Sequence, residues 1–372
     1  VNLLTAFRDS TRAAPLIERI RRRDTGPVSL MEFCGGHTVA IFRGGIRTVM
    51  PEHVRMLSGP GCPVCVTSNA DLDRAIALAK TPNVVLTTYG DMLKVPGSRE
   101  SLAQIKALGT PVEIVYSTID ALRLAQNYPD KQIVFFAIGF ETTAPAAAAA
   151  VIQARNWGLR NFSMCSVMKL TIPGAQALLR MGEVKVNGIL GPGHVSSIIG
   201  AEAWRFLPEE HGVPVVISGF ETLDILAAID ALLAMIEGGK ADLINEYRRI
   251  VKPEGNRKAW NTVRNVFDVV SSSWRGFGEI PASGLRLRRE WEEFDADKRF
   301  EITVYPSDEH PACRCGEVLR GVLEAPDCTV FGTACTPEHP LGPCMVSSEG
   351  SCAAYYHFHQ SARLRINNSK RS

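Results

Sequence analysis

Net charge is nearly absent from this chain. Its 41 Lys and Arg stand against 39 Asp and Glu, leaving +2 over 372 residues, which gives no electrostatic case for nucleic acid. Long apolar runs are missing too. Stretches such as residues 133–140 stop far short of the ~20 residues a membrane span needs, so no membrane partner is expected. Neither G-x-x-x-x-G-K-[ST] nor a convincing G-x-G-x-x-G occurs, which leaves a plain nucleotide-binding protein without its usual support. There is a single C-x-x-C, so a zinc ribbon lacks its second half. Residues 3–20 carry apolar side chains at helical spacing and run into Arg21-Arg22-Arg23. That pattern suits an amphipathic surface helix and lacks the apolar block of a signal peptide, so a cytoplasmic protein is expected.

What is present is cysteine among Gly and Pro. The segments Glu32-Phe-Cys-Gly-Gly-His-Thr38 and Gly59-Pro-Gly-Cys-Pro-Val-Cys65 put Cys34, His37, Cys62 and Cys65 into two tight loops. The first follows an apolar run, residues 28–33, that reads as a buried strand. Cys34 and His37 then lie at the exposed end of a sheet, where open α/β folds bind ligands. The Cys62-Pro-Val-Cys65 spacing fits a redox disulfide or part of a shared metal site, with structural zinc or inert buried thiols as alternatives. A helix start at residues 69–73 would lower a nearby thiol pKa.

Six of the ten cysteines fall after residue 312: Cys313, Cys315, Cys328, Cys335, Cys344 and Cys352. Disulfide scaffolds belong to small secreted domains, whereas this chain is long, 45% hydrophobic and sufficient for two or three ordinary cores. From Cys315 the spacings are x12, x6, x8 and x7. Such irregular spacing in a loop-rich segment favours an iron-sulfur cluster over paired zinc knuckles.

Strand-like segments (28–33, 83–88, 133–140, 213–217) alternate with segments of helical spacing (72–79, 118–126, 223–236), which predicts α/β units with parallel sheets. Motifs recur in degenerate form. Cys34-Gly-Gly-His-Thr38 corresponds to Glu141-Thr-Thr-Ala-Pro145, and Gly59-Pro-Gly61 to Gly191-Pro-Gly-His194. The expected organisation is an N-terminal helix (1–27), two related parallel-sheet α/β domains (28–131 and 132–250) formed by internal duplication, and a loop-rich C-terminal iron-sulfur domain (251–372). Glu141 and Thr142 also suit a helix N-terminus, and His194 also suits a loop histidine bonded to backbone. Their correspondence with the cysteine loops makes all three candidate site residues.

Taken with Gly139-Phe-Glu-Thr-Thr143, Trp274-Arg-Gly276, Cys315-Gly-Glu317 and Ser347-Ser-Glu-Gly-Ser-Cys352, these motifs resemble, in order and nearly end to end, the HypD family of hydrogenase maturation proteins. The resemblance implies a scaffold, rather than a turnover enzyme, that works with the small partner HypC. Together they assemble the Fe(CN)2CO moiety destined for the large subunit of a [NiFe]-hydrogenase, with cyanide coming from HypE. It implies Cys34 as the thiolate sharing that iron with HypC, His37 as a group that orients or protonates its surroundings, and Cys62 and Cys65 as a redox pair. A [4Fe-4S] cluster would be held by Cys315, Cys328, Cys335 and Cys352, with Cys344 or Cys313 as substitutes. The competing class is an iron-sulfur protein-disulfide oxidoreductase of the ferredoxin-thioredoxin reductase kind, which would need a dithiol substrate and no Cys34.

Overall fold

The structure is a computed structural model that describes residues 9–304 and 309–358. Residues 1–8 of the predicted N-terminal helix and the polar tail 363–372 lie outside it. The chain forms strands β1 (Val28–Glu32), β2 (Val54–Ser58), β3 (Val84–Thr88), β4 (Val112–Ile114), β5 (Gln132–Ala137), β6 (Phe162–Ser166), β7 (Gly188–Pro192), β8 (Val215–Ser218) and β9 (Leu243–Asn245). They make two parallel sheets, ordered β2-β1-β7-β8-β9 and β4-β3-β5-β6. Parallel strands covered on both faces need near-continuous apolar sequence. Accordingly Leu30 and Met31 of β1, and Ile133, Val134 and Phe136 of β5, are fully buried.

The α/β class and the two parallel-sheet units are as expected, but the chain is divided between them differently. Residues 28–58 and 188–245 build the first sheet, and the intervening residues 84–166 build the second. A boundary at 131/132 therefore cuts the second sheet between β4 and β5. Both Gly-Pro-Gly segments end strands of the first sheet, because β1 takes β2 on one edge and β7 on the other, with Leu30 opposite Met56 and Met31 opposite Ile189.

The region beyond 251 also divides. Helix Arg257–Val266 packs on helix Ala144–Asn156. The antiparallel hairpin of β10 (Phe267–Trp274) and β11 (Gly278–Leu287) places Phe267, Leu285 and Leu287 in the core of the second unit. Among the described residues, the loop-rich segment from Glu309 onward adds no strand to either sheet, but its Cys315, Leu319 and Cys344 join the buried cluster that holds Met31 of β1 and Leu57 of β2.

Local signals explain the helices. Ser117 and Asp120 close a capping box at helix Thr118–Asn127, and Ser101 and Gln104 do the same at helix Leu102–Ala107. The N-terminal surface helix is Ser10–Arg22. It buries Ile20, worth roughly 2 kcal/mol, against helix Thr222–Glu237, while Arg19 and Arg23 pair with Asp230. Among the described residues, no helix is long and apolar enough to cross a membrane.

Candidate functional site

The carboxyl ends of the first sheet build one wall. Cys34 leaves β1 as the N-cap of helix Gly35–Arg43, and the loop after β2 is laced to it. Gly59 N–H donates to the Glu32 carbonyl at 2.8 Å, and Gly35 N–H donates to the Gly61 carbonyl at 3.2 Å. A Cβ on Gly61 would collide with the backbone of Phe33 and Cys34, so only glycine lets the two loops approach this closely. Glu32 is buried, and its carboxylate accepts from Cys34 N–H at 2.8 Å and from the Thr38 hydroxyl. Burial raises the Glu32 pKa to about 7.

Cys34 is half-buried. Desolvation and then the Glu349 carboxylate push its thiol up to about 12, against the pull of the His37 and Gly36 amides. This chain thus keeps Cys34 protonated until something displaces the proton. The space beside Gly35 and Gly36 is filled from within the chain. A side chain on Gly35 would strike Glu349, and one on Gly36 would meet the Phe220 ring. Glu349 belongs to the Ser347–Cys352 motif, and burial and then Asp91 raise its pKa.

His37 is fully buried. Its Nε2 lies 2.9 Å from the Gly219 carbonyl, which can only accept, so Nε2 carries the proton. Nδ1 is buried without a hydrogen-bond partner among the described residues. In this tautomer Nδ1 is an acceptor, not a donor. Phe220 stacks between His37, with ring centroids 4.5 Å apart, and exposed His194, at 3.8 Å. The structure thus brings Cys34, His37 and His194 onto one wall through Phe220, a residue that sequence reasoning did not single out.

Desolvation lowers the His37 pKa to about 4. The unfolded chain, with a histidine pKa near 6.5, then binds the proton more readily than the folded one. His37 therefore favours folding fully above about pH 6.5, and that contribution fades as pH falls toward 4. Replacing His37 by Gln is expected to remove this dependence. The difference in stability between wild type and His37→Gln should shrink by up to about 1.4 kcal/mol per pH unit between pH 6.5 and 4, as read by urea unfolding at pH 7 and 5. A difference that is constant with pH would disprove it.

Cys62 and Cys65 form a disulfide across a one-turn helix, Pro63–Val66. This turn was not foreseen, since the helix start was expected only at Asn69. Arg275 locks it in place. Its own N–H donates to the Val66 carbonyl, and its buried guanidinium reaches the Thr67 carbonyl at 3.1 Å and Asn69 Oδ1 at 2.6 Å. The Trp274-Arg-Gly276 motif is the tip of the hairpin, with Trp274 bridged to Thr67 just beyond the disulfide, and a side chain on Gly276 would strike the Gly316 backbone. Helix Pro63–Val66 also packs against helices Cys315–Leu319 and Pro343–Val346.

All six C-terminal cysteines line one cavity. Burial pushes Cys313 up to about 12. Against the cost of burial, a hydrogen bond from Cys344 and then the Arg275 charge bring Cys315 below its ordinary value. As the side chains stand, no three His, Cys, Asp or Glu among the described residues converge into a metal-holding group. The donor set nevertheless suits an iron-sulfur cluster, because it consists of soft thiols lining one cavity with a buried guanidinium nearby.

Glu141 and Thr142 stand at the end of β5 in the second sheet. Glu141 is buried, accepting from Thr171 N–H at 2.8 Å and the Thr171 hydroxyl at 2.7 Å, so it anchors helix Thr171–Met181. Thr142 is exposed. A separate polar cavity of about 220 Å³ lies between β6 and the hairpin, walled by Asp71, Arg74, Asp295 and Asp297. Close to it, buried Lys169 pairs with Asp71 at 3.2 Å and donates to Ser272. None of the six C-terminal cysteines lines it, but the thiol of Cys165 reaches Asp297 Oδ1 at 4.0 Å.

Fold and site define a two-sheet α/β protein with a thiol-rich centre in which an N-capping cysteine, a disulfide and a six-cysteine cavity adjoin. The sequence pattern of the family described as Hydrogenase formation hypA family, HypD, matches residues 11–359. The chain is 48% identical to hydrogenase maturation factor HypD of Rhizobium leguminosarum bv. viciae, over 88% of this chain and 87% of that protein. It is 44% identical to HypD2 of Bradyrhizobium diazoefficiens over 98% of both. It is 40% identical to HypD of Escherichia coli K12 over 95% and 97%. The chain belongs to the HypD family of hydrogenase maturation factors.

Proposed function

We propose that this chain is the redox-active scaffold on which the iron of a [NiFe]-hydrogenase receives its two cyanides and one carbon monoxide. Cys34 shares that iron with a HypC-type partner, and cyanide arrives from HypE. The observation supporting this reading is the place of the Cys62–Cys65 disulfide. On one side its loop is laced to Cys34 through Gly61 and Gly35, and on the other its helix packs against those bearing Cys315 and Cys344.

The iron is substrate here. A thiolate is a soft ligand suited to it, and Cys34 gives up its proton on binding. The neighbouring His37 Nδ1 and Glu349 offer acceptors on the same wall. Cys62 and Cys65 store two electrons and two protons as the dithiol and release them as the disulfide. Cys315, Cys328, Cys335 and Cys352 would hold the [4Fe-4S] cluster. When bound, such a cluster supplies electrons singly.

Two measurements on anaerobically purified full-length protein test this. About four iron and four sulfide per chain are expected, with loss of cluster in Cys328→Ala, whereas stoichiometric zinc without sulfide would exclude the cluster. Thiol trapping at graded potentials should show a two-electron transition that disappears in Cys62→Ser. If instead the chain reduces a protein disulfide equally well without Cys34, it is an oxidoreductase of the ferredoxin-linked kind.

A further inference from the structure

The hairpin meets the second sheet without zipping onto it. Leu285 N–H donates to the Met168 carbonyl, Leu170 N–H donates to the Ser283 carbonyl, and the Ser166 hydroxyl donates to the Leu285 carbonyl. β10 is bulged between Val270 and Ser272, which bends it out of regular pairing. The gap that remains is the polar cavity of about 220 Å³, far more than the roughly 10–15 Å³ that one buried water needs. Asp71, Arg74, Glu279, Arg286, Asp295 and Asp297 supply its charged lining. Two of these carboxylates are neutralised, Asp71 by Lys169 at 3.2 Å and Asp297 by Arg74 at 3.5 Å. Asp295 is not. It is 6% exposed and forms no ion pair among the described residues. Its Oδ1 accepts from Asp297 N–H at 2.9 Å as the cap of helix Ala296–Arg299, which leaves Oδ2 without a hydrogen-bond partner there. Burial raises its pKa by more than the Arg286 and Lys298 charges offset.

We propose that this cavity binds a small organic cation, an aliphatic amine or guanidine with two or more N–H donors, whose charged end rests on Asp295. A buried carboxylate with an unmet oxygen bears a desolvation cost, and a charge-assisted hydrogen bond from an ammonium or guanidinium relieves it. The sign of the ligand follows from what is left unpaired. Asp295 and Glu279 face only Arg286 once Asp71 and Asp297 are satisfied, so an anion would meet the wrong charge. A bare metal ion needs three or more donors at one point, and the carboxylates here do not converge in that way. An extended cation can instead reach from Asp295 along the hairpin wall, where Ser271, Ser273 and Glu279 are exposed acceptors. The cavity also adjoins Ser166, the last residue of β6, and the carboxyl ends of parallel strands are where α/β sheets bind ligands.

The test is calorimetric titration of the full-length protein at physiological salt with agmatine and with putrescine. Butane-diol serves as the uncharged counterpart and succinate as the anion. At least one of the two amines should bind once per chain with a Kd of about 1 mM or tighter, and neither butane-diol nor succinate should bind. Asp295→Asn keeps an oxygen for the cap bond to Asp297 N–H and should weaken amine binding about tenfold or more. Glu210→Gln alters an exposed carboxylate that does not line the cavity and should leave binding unchanged. Ser271→Arg puts a tethered guanidinium on the cavity wall and should abolish it. Wild type that binds neither amine, or binds succinate instead, overturns the proposal. So does full-strength binding in Asp295→Asn, or equal weakening by Asp295→Asn and Glu210→Gln, which would make the attraction a general surface effect. If Asp295→Asn does not fold, Ser271→Arg decides, and undiminished binding in that variant overturns it.

Discussion

Replacing Cys34 by Ala is expected to abolish the cyanide and carbonyl infrared bands of the proposed complex with a HypC-type partner while leaving the iron and sulfide proposed for the C-terminal cavity at wild-type levels. The two effects separate because Cys34 lies at the end of β1 and does not line the cavity that holds the proposed cluster cysteines. The Cys34 side chain makes no cap bond to its helix, so removing the sulfur leaves the local backbone bonds standing. Destabilisation within about 1 kcal/mol is expected, as for a substitution that disrupts no buried network. Bands at wild-type intensity per chain in the Cys34→Ala complex would place the iron elsewhere.

The second large effect is expected at Gly61, whose φ is not in the left-handed region and whose need for glycine is purely spatial. A methyl group there meets the Phe33 and Cys34 backbone, which cannot rotate aside as a side chain tip does. The Gly61→Ala chain must either separate the two loops or strain both, at a cost of roughly 3 kcal/mol. The separation parts Cys34 from the disulfide, so maturation should fail even where the chain still folds. Gly109→Ala is the control. Gly109 has a positive φ but open space around it, so the variant should lose only about 1–2 kcal/mol and keep activity. Equal thermal stability of Gly61→Ala and wild type, with hydrogenase maturation intact, would refute the argument.

Much of the fold was legible because parallel strands buried on both faces must be apolar runs. Residues 28–33, 83–88 and 133–140 locate β1, β3 and β5 to within a few residues. The helix of residues 223–236 was legible by its spacing, and its observed bounds are Thr222–Glu237. The one-turn helix at Pro63–Val66 was not, since four residues carry too little periodicity to register. Nor was the division of strands between sheets. An apolar strand pairs equally well with any neighbour of matching length, so nothing within β7 says that it lies beside β1.

The site was half legible. Cys34, His37, the Cys62–Cys65 pair and the C-terminal cysteines stand out because thiols and imidazoles among glycines have few structural uses. Phe220 and Glu349 do not stand out, since a phenylalanine in a loop and a carboxylate in a Ser-rich turn are ordinary locally. They become part of the site only when β8 and the C-terminal segment come to rest against Gly36 and Gly35.

By itself the sequence determined the α/β class, the chemistry available and the family, because those depend on residue type and local order along the chain. Only the tertiary structure decided which strands share a sheet, that Glu141 anchors a helix, and that the disulfide lies between Cys34 and the cysteine cavity. Those outcomes depend on contacts between segments far apart in sequence. Such contacts are selected by the joint packing of whole sheets and hairpins, and no short stretch of chain encodes them alone.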